Sequence, residues 1–268
     1  PTPAFVTTAT EFAGEPDALA LDAGDLVGAS VVGRYAVEHD AAGLAGAVRA
    51  MGIRALAVGH RDLAMARPTF VAAAQAFAAR DIRYVLTNLR CAGAATSFCE
   101  NVVDASDDPL ILDSPYGRVA YLAVASPSVL QYVARDRASG VTLEAPKDAI
   151  TRAAAAARGR GARWVVVAYD PEYPGSQEDT FRLAEELTED ARVDVLLVND
   201  ISEHITSVEV ARSGAQVVAT RQGHVTAVEV GGGRLARNAR SGTAVADVAT
   251  LATSTHEWLC TTRNQPLR

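Results

Sequence analysis

The sequence predicts a layered α/β fold. Three observations carry that expectation. Short apolar runs of strand length alternate with segments whose apolar residues recur at helical spacing. Several of those runs end in polar loops, Asp22-Ala23-Gly24-Asp25 being the most marked. Beyond residue 205 the texture turns to alternating, β-branched runs, so that sheet dominates the second half.

Taken in order, Phe5, Val6, Ala9, Phe12 and Ala13 share one helical face, and Glu15-Pro16-Asp17 ends it. Ala18 to Leu21 is a buried strand feeding the Asp22–Asp25 loop. Leu44, Ala47, Val48 and Met51 form the next helical face, with Gly52 as its cap, because glycine enters the left-handed conformation at low cost. Arg54 to Val58 is a second buried strand. Phe70, Val71, Ala74, Phe77 and Ala78 mark a helix, and Tyr84 to Leu86 a strand entering Thr87-Asn88. Pro109 to Leu112 and Arg118 to Val124 read as a hairpin around Tyr116-Gly117. A helix starts near Pro146, includes Ala153 to Ala157 and exits through Arg158 to Gly161. Trp164 to Ala168 is a strand, Glu178 to Leu187 a helix and Val193 to Val198 a strand. Ser207 to Ala211, Gln216 to Thr220 and Val225 to Val230 close the β-rich region, with Gly231-Gly232-Gly233 a hairpin loop.

Composition narrows the function. The 268 residues are 49% hydrophobic, enough to bury a sizeable core, and 25 basic against 32 acidic side chains give a net charge of -7. That balance, with no basic run, argues against nucleic acid as a partner. No segment reaches the roughly 18 apolar residues of a membrane span. Cys91 and Cys99 stand close enough in CAGAATSFC to be bridged, which would imply an oxidising compartment, or else are two half-buried thiols. Cys260 has no obvious partner.

The order of segments resembles the calcineurin-like metallophosphoesterases, in the branch of 5′-nucleotidases and UDP-sugar hydrolases. LDAGDLVGAS at 21–30 is similar to that family's second signature, and MGIRALAVGHRDLA at 51–64 to its Gly-Asn-His-Glu segment. YVLTNL at 84–89, YGRVAYLAVASP at 116–127, the stretch 162–187, VDVLLVND at 193–200 and GAQVVATRQGHVTAVEV at 214–230 follow in the family's order. The resemblance implies a four-layer αββα sandwich over residues 1–240, lacking its first strand in this chain, and a tail or linker over 241–268.

Members of the family hold two metal ions with Asp, Asn and His ligands, and the resemblance maps those positions one by one. The first-strand Asp-x-His has no counterpart, the chain beginning in the helix that follows that strand. Asp25 stands at the bridging aspartate. His60 and Arg61 stand at the Asn-His pair, with Asp62 at the following acid. Ala168 and Tyr169 replace Ser-His, and Asp200, Ile201 and Ser202 replace His-Ser-His. Arg61 is expected to pair with Asp25 or Asp62, its fixed charge taking the place of a metal. The expected site is therefore vestigial, made of Asp25, His60, Arg61, Asp62, Asp170 and Asp200, with no cofactor favoured. The alternative is a divalent cation (Mn, Zn or Mg) on Asp25, His60 and Asp200, with Asp170 in a wider version. His39, His204, His224 and His256 have no evident catalytic partner.

The implied role is a non-catalytic structural or interaction subunit of a periplasmic or extracellular assembly. Its partners would be other protein subunits, a multihaem cytochrome among them. The competing expectation is a divergent metal-dependent phosphoesterase acting on nucleotides or sugar phosphates.

Overall fold

A computed structural model describes residues 19–28, 31–103, 108–115, 117–171, 183, 186, 193–199, 208–210, 215–220, 225–230 and 248–253. The helix expected over residues 5–13 and the glycine loop at 231–233 lie outside these residues. So do Cys260 and nearly all of the helix expected at 178–187.

β1 (Leu19–Asp22) leads to α1 (Val31–Ala50), which bends at Asp40 (φ −155°, ψ 64°). Asp40 Oδ1 accepts the Gly43 N–H at 2.8 Å, capping the second half of the helix as a short polar side chain does at an N-terminus. Gly52, at φ 81°, ends the turn before β2 (Ile53–Ala57). α2 (His60–Leu63), α3 (Arg67–Ala78) and β3 (Arg83–Val85) follow. In α3, Phe70, Ala73, Ala74 and Phe77 are buried, the one-face spacing of an amphipathic helix. Phe70 packs on Tyr84 and Phe98, with ring centroids 5.0 and 4.4 Å apart.

β4 (Leu89–Cys91) and α4 (Thr96–Cys99) are joined by a Cys91–Cys99 disulfide. The bridge closes a short loop of eight-residue separation, which chain-entropy reasoning makes worth about 2–3 kcal/mol. Cys91→Ser is expected to lower the unfolding free energy measured in urea by that much, and so to shift the midpoint to lower urea, and reducing agent to do the same to the wild type. An unchanged midpoint would show that Phe98 packing alone secures the loop.

β5 (Leu110–Ser114) and β6 (Gly117–Ala125) form the expected antiparallel hairpin. After β7 (Val141–Leu143), α5 (Pro146–Gly159) buries Ala149, Ile150, Ala153, Ala154 and Ala157, a stripe of mostly small residues that lets the helix lie close on a sheet. β8 (Trp164–Asp170) is buried at all seven positions, as a central parallel strand covered on both faces should be. β9 (Val195–Asn199), β10 (Val208–Val210), β11 (Gln216–Thr220), β12 (Val225–Val230) and β13 (Val248–Thr253) are the remaining described strands.

The strands assemble in the order β12-β13-β1-β2-β3 in one sheet and β10-β11-β9-β8-β6-β5 in a second, with β4-β7 a separate pair. Side-chain alternation then gives the layers. Leu19 and Leu21 of β1 and Ala55 and Ala57 of β2 share a core with Tyr121, Val166 and Leu197 of the second sheet, while Leu122, Val167 and Leu196 point to that sheet's outer side, which α5 covers. Ala20, Ile53 and Leu56 point the other way, into a core with Val48 of α1 and Phe70 of α3. The result is helix, sheet, sheet, helix, the αββα arrangement expected.

Two differences from the expected elements matter. The segment expected as a tail contains β13, which pairs with β1 in parallel and with β12 in antiparallel. Its Thr- and Ala-rich composition conceals it, because a strand seated between two others is stabilised by pairing rather than by strongly apolar side chains. In addition, β8 runs on to Asp170 and β9 to Asn199, so the strand ladders hold both polar residues in place.

Candidate metal centre

The carboxyl ends of β1 and β2 in the first sheet meet those of β8 and β9 in the second. Tyr121 of β6 ties the sheets together beneath this point, its hydroxyl donating to the Asp22 carbonyl oxygen. After β1 the chain turns through Gly24 (φ 119°) and Asp25 (φ 63°). A left-handed backbone is uncommon away from glycine, and Asp and Asn tolerate it better than most residues. Asp22 supports the turn by accepting the Gly24 N–H at 2.9 Å.

The loop after β2 packs against this turn backbone to backbone. A Cβ on Gly59 would stand 2.2 Å from Asp25 Oδ1, and one on Gly28 would stand 2.2 Å from the Arg61 carbonyl oxygen. Asp62 stitches the two loops, accepting from the backbone N–H groups of Gly28 at 2.7 Å and of Asp25 and Gly59 at 3.2 Å. Burial raises its pKa to about 6, held back from going higher by those N–H donors. Gly28→Ala is expected to destabilise by roughly 1–3 kcal/mol, because the obstacle is rigid backbone that cannot rotate away. A thermal midpoint within a degree of wild type would contradict this close packing.

At the centre stand Asp25, His60 and Asp170. The His60 backbone N–H donates to Asp170 Oδ2 at 2.5 Å. Its ring Nδ1 lies 3.1 Å from the same oxygen and 3.4 Å from Asp25 Oδ2. Asp25 Oδ1 accepts the Arg61 backbone N–H at 2.9 Å, whereas the Arg61 side-chain Nε is 4.0 Å from Oδ2. Asn199 Nδ2 reaches Asp25 Oδ2 at 3.4 Å. Asp25, Asp170 and Asn199 are buried, and the His60 side chain is 18% exposed, the one of the trio that faces solvent.

Charge is concentrated here. Burial, then the neighbouring Asp170, lifts the Asp25 carboxyl to about 7, against the opposing pull of His60. For His60, burial favours the neutral ring, but the hydrogen bond to Asp170 and the charges of Asp25 and Asp170 outweigh it and raise the pKa to about 9. Without a cation, Asp25 and His60 therefore hold protons that ordinary surface groups would have lost.

This donor set fits a divalent cation. One oxygen or nitrogen from each of Asp25, His60 and Asp170 lies within 4.8 Å of the others. Ligands about 2.1 Å from a metal stand roughly 3.0–3.4 Å apart around an octahedron or tetrahedron. The 3.1 and 3.4 Å separations at His60 Nδ1 match that range. Two carboxylates and an imidazole suit Zn and Mn better than Ca.

The expected residues divide clearly. Asp25, His60 and Asp170 converge, Arg61 borders them, and Asp62 lies beneath as a loop organiser bonded to backbone. Asp200, His204, His224 and His256 lie outside the described residues. His39 is at the surface, stacked on Tyr35 with ring centroids 3.9 Å apart. Ala168 and Tyr169, mapped onto the Ser-His pair, are core residues, and Asp170 is the member of that segment that reaches the site. Asn199 was not among the expected residues. Its signal is a polar residue closing an apolar run, one position before Asp200. Asn88, in the turn after β3, serves structure instead, with its Nδ2 donating to the carbonyls of Ala125 and Glu144, both at 2.8 Å.

No protein-family model and no curated protein matches the chain by sequence. Solved structures do match. A 5′-nucleotidase precursor from Thermus thermophilus is 14% identical with a TM-score of 0.62, over 94% of this chain and 48% of that one. A 5′-nucleotidase described as putative, from Staphylococcus aureus, is 10% identical with a TM-score of 0.65, over the same shares. A calcineurin-like phosphoesterase from Bacillus subtilis is 15% identical with a TM-score of 0.59, over 83% of this chain and 73% of that one. The chain has the metallophosphoesterase fold. This metallophosphoesterase-like chain spans about half the length of the two nucleotidases it matches, 48% of each. Among the described residues, the cluster that could hold a metal is Asp25, His60 and Asp170.

Proposed function

We propose that the chain is a divergent metal-dependent phosphoesterase holding a single divalent cation on Asp25, His60 and Asp170. The observation that carries this reading is the convergence of those three donors, from both sheets, at coordination spacing. A bound cation would polarise the phosphoryl oxygen and acidify a water. The chain's own residues do the rest. Asp62 and the N–H groups it accepts hold the Asp25 turn, the β8 ladder holds Asp170, and Arg61 at the border offers a guanidinium to a substrate oxyanion. Nucleotides or sugar phosphates are the proposed substrates, since nucleotidases are among the structures with this fold. The Cys91–Cys99 bridge supports an extracytoplasmic setting.

The test is calorimetric titration of chelator-stripped protein with Mn²⁺ and Zn²⁺, followed by hydrolysis assays on p-nitrophenyl phosphate and nucleoside monophosphates. One ion per chain and cation-dependent turnover are expected. Failure to bind any ion, with no turnover, would replace this reading by the structural-subunit one. The Arg61 guanidinium beside Asp25 is the feature that favours that second reading.

A further inference from the structure

Asp25 Oδ2 is the hub of the site. His60 Nδ1 stands 3.4 Å from it, Asn199 Nδ2 also 3.4 Å and Arg61 Nε 4.0 Å. Asn199 is fixed there by its place in the fold. It is the last residue of β9, paired with Thr220 of the neighbouring strand, and it is buried. Its amide lies against the Gly24 turn, where an added Cβ would be 3.4 Å from Nδ2.

A carboxamide has a donor end and an acceptor end of nearly equal size. With the carboxylate alone, the donor end faces Asp25, as the structure shows. A half-turn about the terminal side-chain torsion puts the amide oxygen in the same place, at a separation typical of two ligands on one cation. That torsion is broad and roughly two-fold, so the turn needs no backbone movement. Carbonyl oxygens of Asn are ordinary ligands for hard and borderline cations.

We infer that Asn199 is a fourth protein ligand, binding the cation through its amide oxygen. The inference rests on the cation reading above and adds to it a ligand and a charge balance. Two carboxylates neutralise a divalent ion, while the imidazole and the amide add no charge. The occupied site is then neutral, with Arg61 at its border, and that arrangement admits an anionic ester. A carboxylate at position 199 would bind the ion more tightly and leave the site net negative.

The experiment loads chelator-stripped full chain with Co²⁺ and records both the calorimetric affinity and the visible d–d spectrum. Asn199→Leu is expected to weaken binding by about tenfold or more and to shift the spectrum, since one oxygen ligand is lost. Asn199→Asp is expected to tighten binding by a similar factor and to keep a spectrum of the wild-type form. It also gives an answer where the leucine variant does not fold. If both variants leave the spectrum and affinity unchanged, Asn199 merely hydrogen-bonds Asp25 and the ligand assignment falls, while the cation site stands. Absence of Co²⁺ uptake by the wild type overturns both.

Discussion

Asp25→Asn is expected to weaken cation binding sharply and stabilise the fold. The substitution keeps the shape, and asparagine tolerates the left-handed backbone at φ 63°. It removes the charge that three neighbours share. Affinity for Mn²⁺ or Zn²⁺ should fall by about a hundredfold or more, near 3 kcal/mol. Cation-dependent phosphoesterase turnover should fall by on the order of 10²–10³. Stability in chelator should move the other way above pH 7, because burial and Asp170 make the ionised Asp25 carboxylate unfavourable in the folded chain. Sites built for function often carry such a stability cost. Equal affinity in wild type and variant would remove Asp25 from the ligand set. Equal stability at pH 8 would mean that its charge is better compensated than its surroundings suggest.

The stripped protein should lose stability steadily from pH 5 to pH 9, by a few kcal/mol. Three groups, two of them buried and His60 partly so, push in one direction. Asp62 at about 6 and Asp25 at about 7 both sit above an ordinary 3.8, so their ionised forms oppose folding as pH rises through those values. His60 at about 9 sits above 6.5, so its stabilising charge is fully present below 6.5 and lost as pH climbs through 9. In each case the folded state binds more protons than the unfolded chain, and stability falls with pH. A divalent cation takes the place of those protons. At a hundred times its dissociation constant it should restore about 2.7 kcal/mol and flatten the profile between pH 7 and 9. Urea midpoints with and without Mn²⁺ measure this, and a stability that rises with pH in chelator would contradict the arrangement.

The layered fold was legible because period and order are properties of the chain itself. Phe70, Ala74 and Phe77 announce a helix, and Val165 to Val167 a buried strand, whatever surrounds them. The loops at Asp25 and His60 were legible too, since glycines and acids gather where a strand ends. The partnership between them was harder to read. Nothing local tells that Asp62 spends its oxygens on three N–H groups from two loops, or that Asp170 rather than Tyr169 faces the site. One residue of strand length decides the second point, because each step along a strand turns the side chain to the opposite face. The role of Arg61 was read from its charge. The structure places its backbone N–H closer to Asp25 than its guanidinium.

The seat of β13 between β12 and β1 bears on how the molecule is made. Leu19 finds its partner in Thr250, so one edge of β1 stays open during synthesis until residues 248–253 have emerged, more than two hundred positions later. Pairings of such long range are slow to close, and an uncovered strand edge invites association with other chains. Beside that edge lies the Asp25 turn. Assembly of the end of the first sheet that carries this turn thus comes late, and chaperone demand and aggregation during expression should respond more to substitutions within 248–253 than to those in the well-packed second sheet.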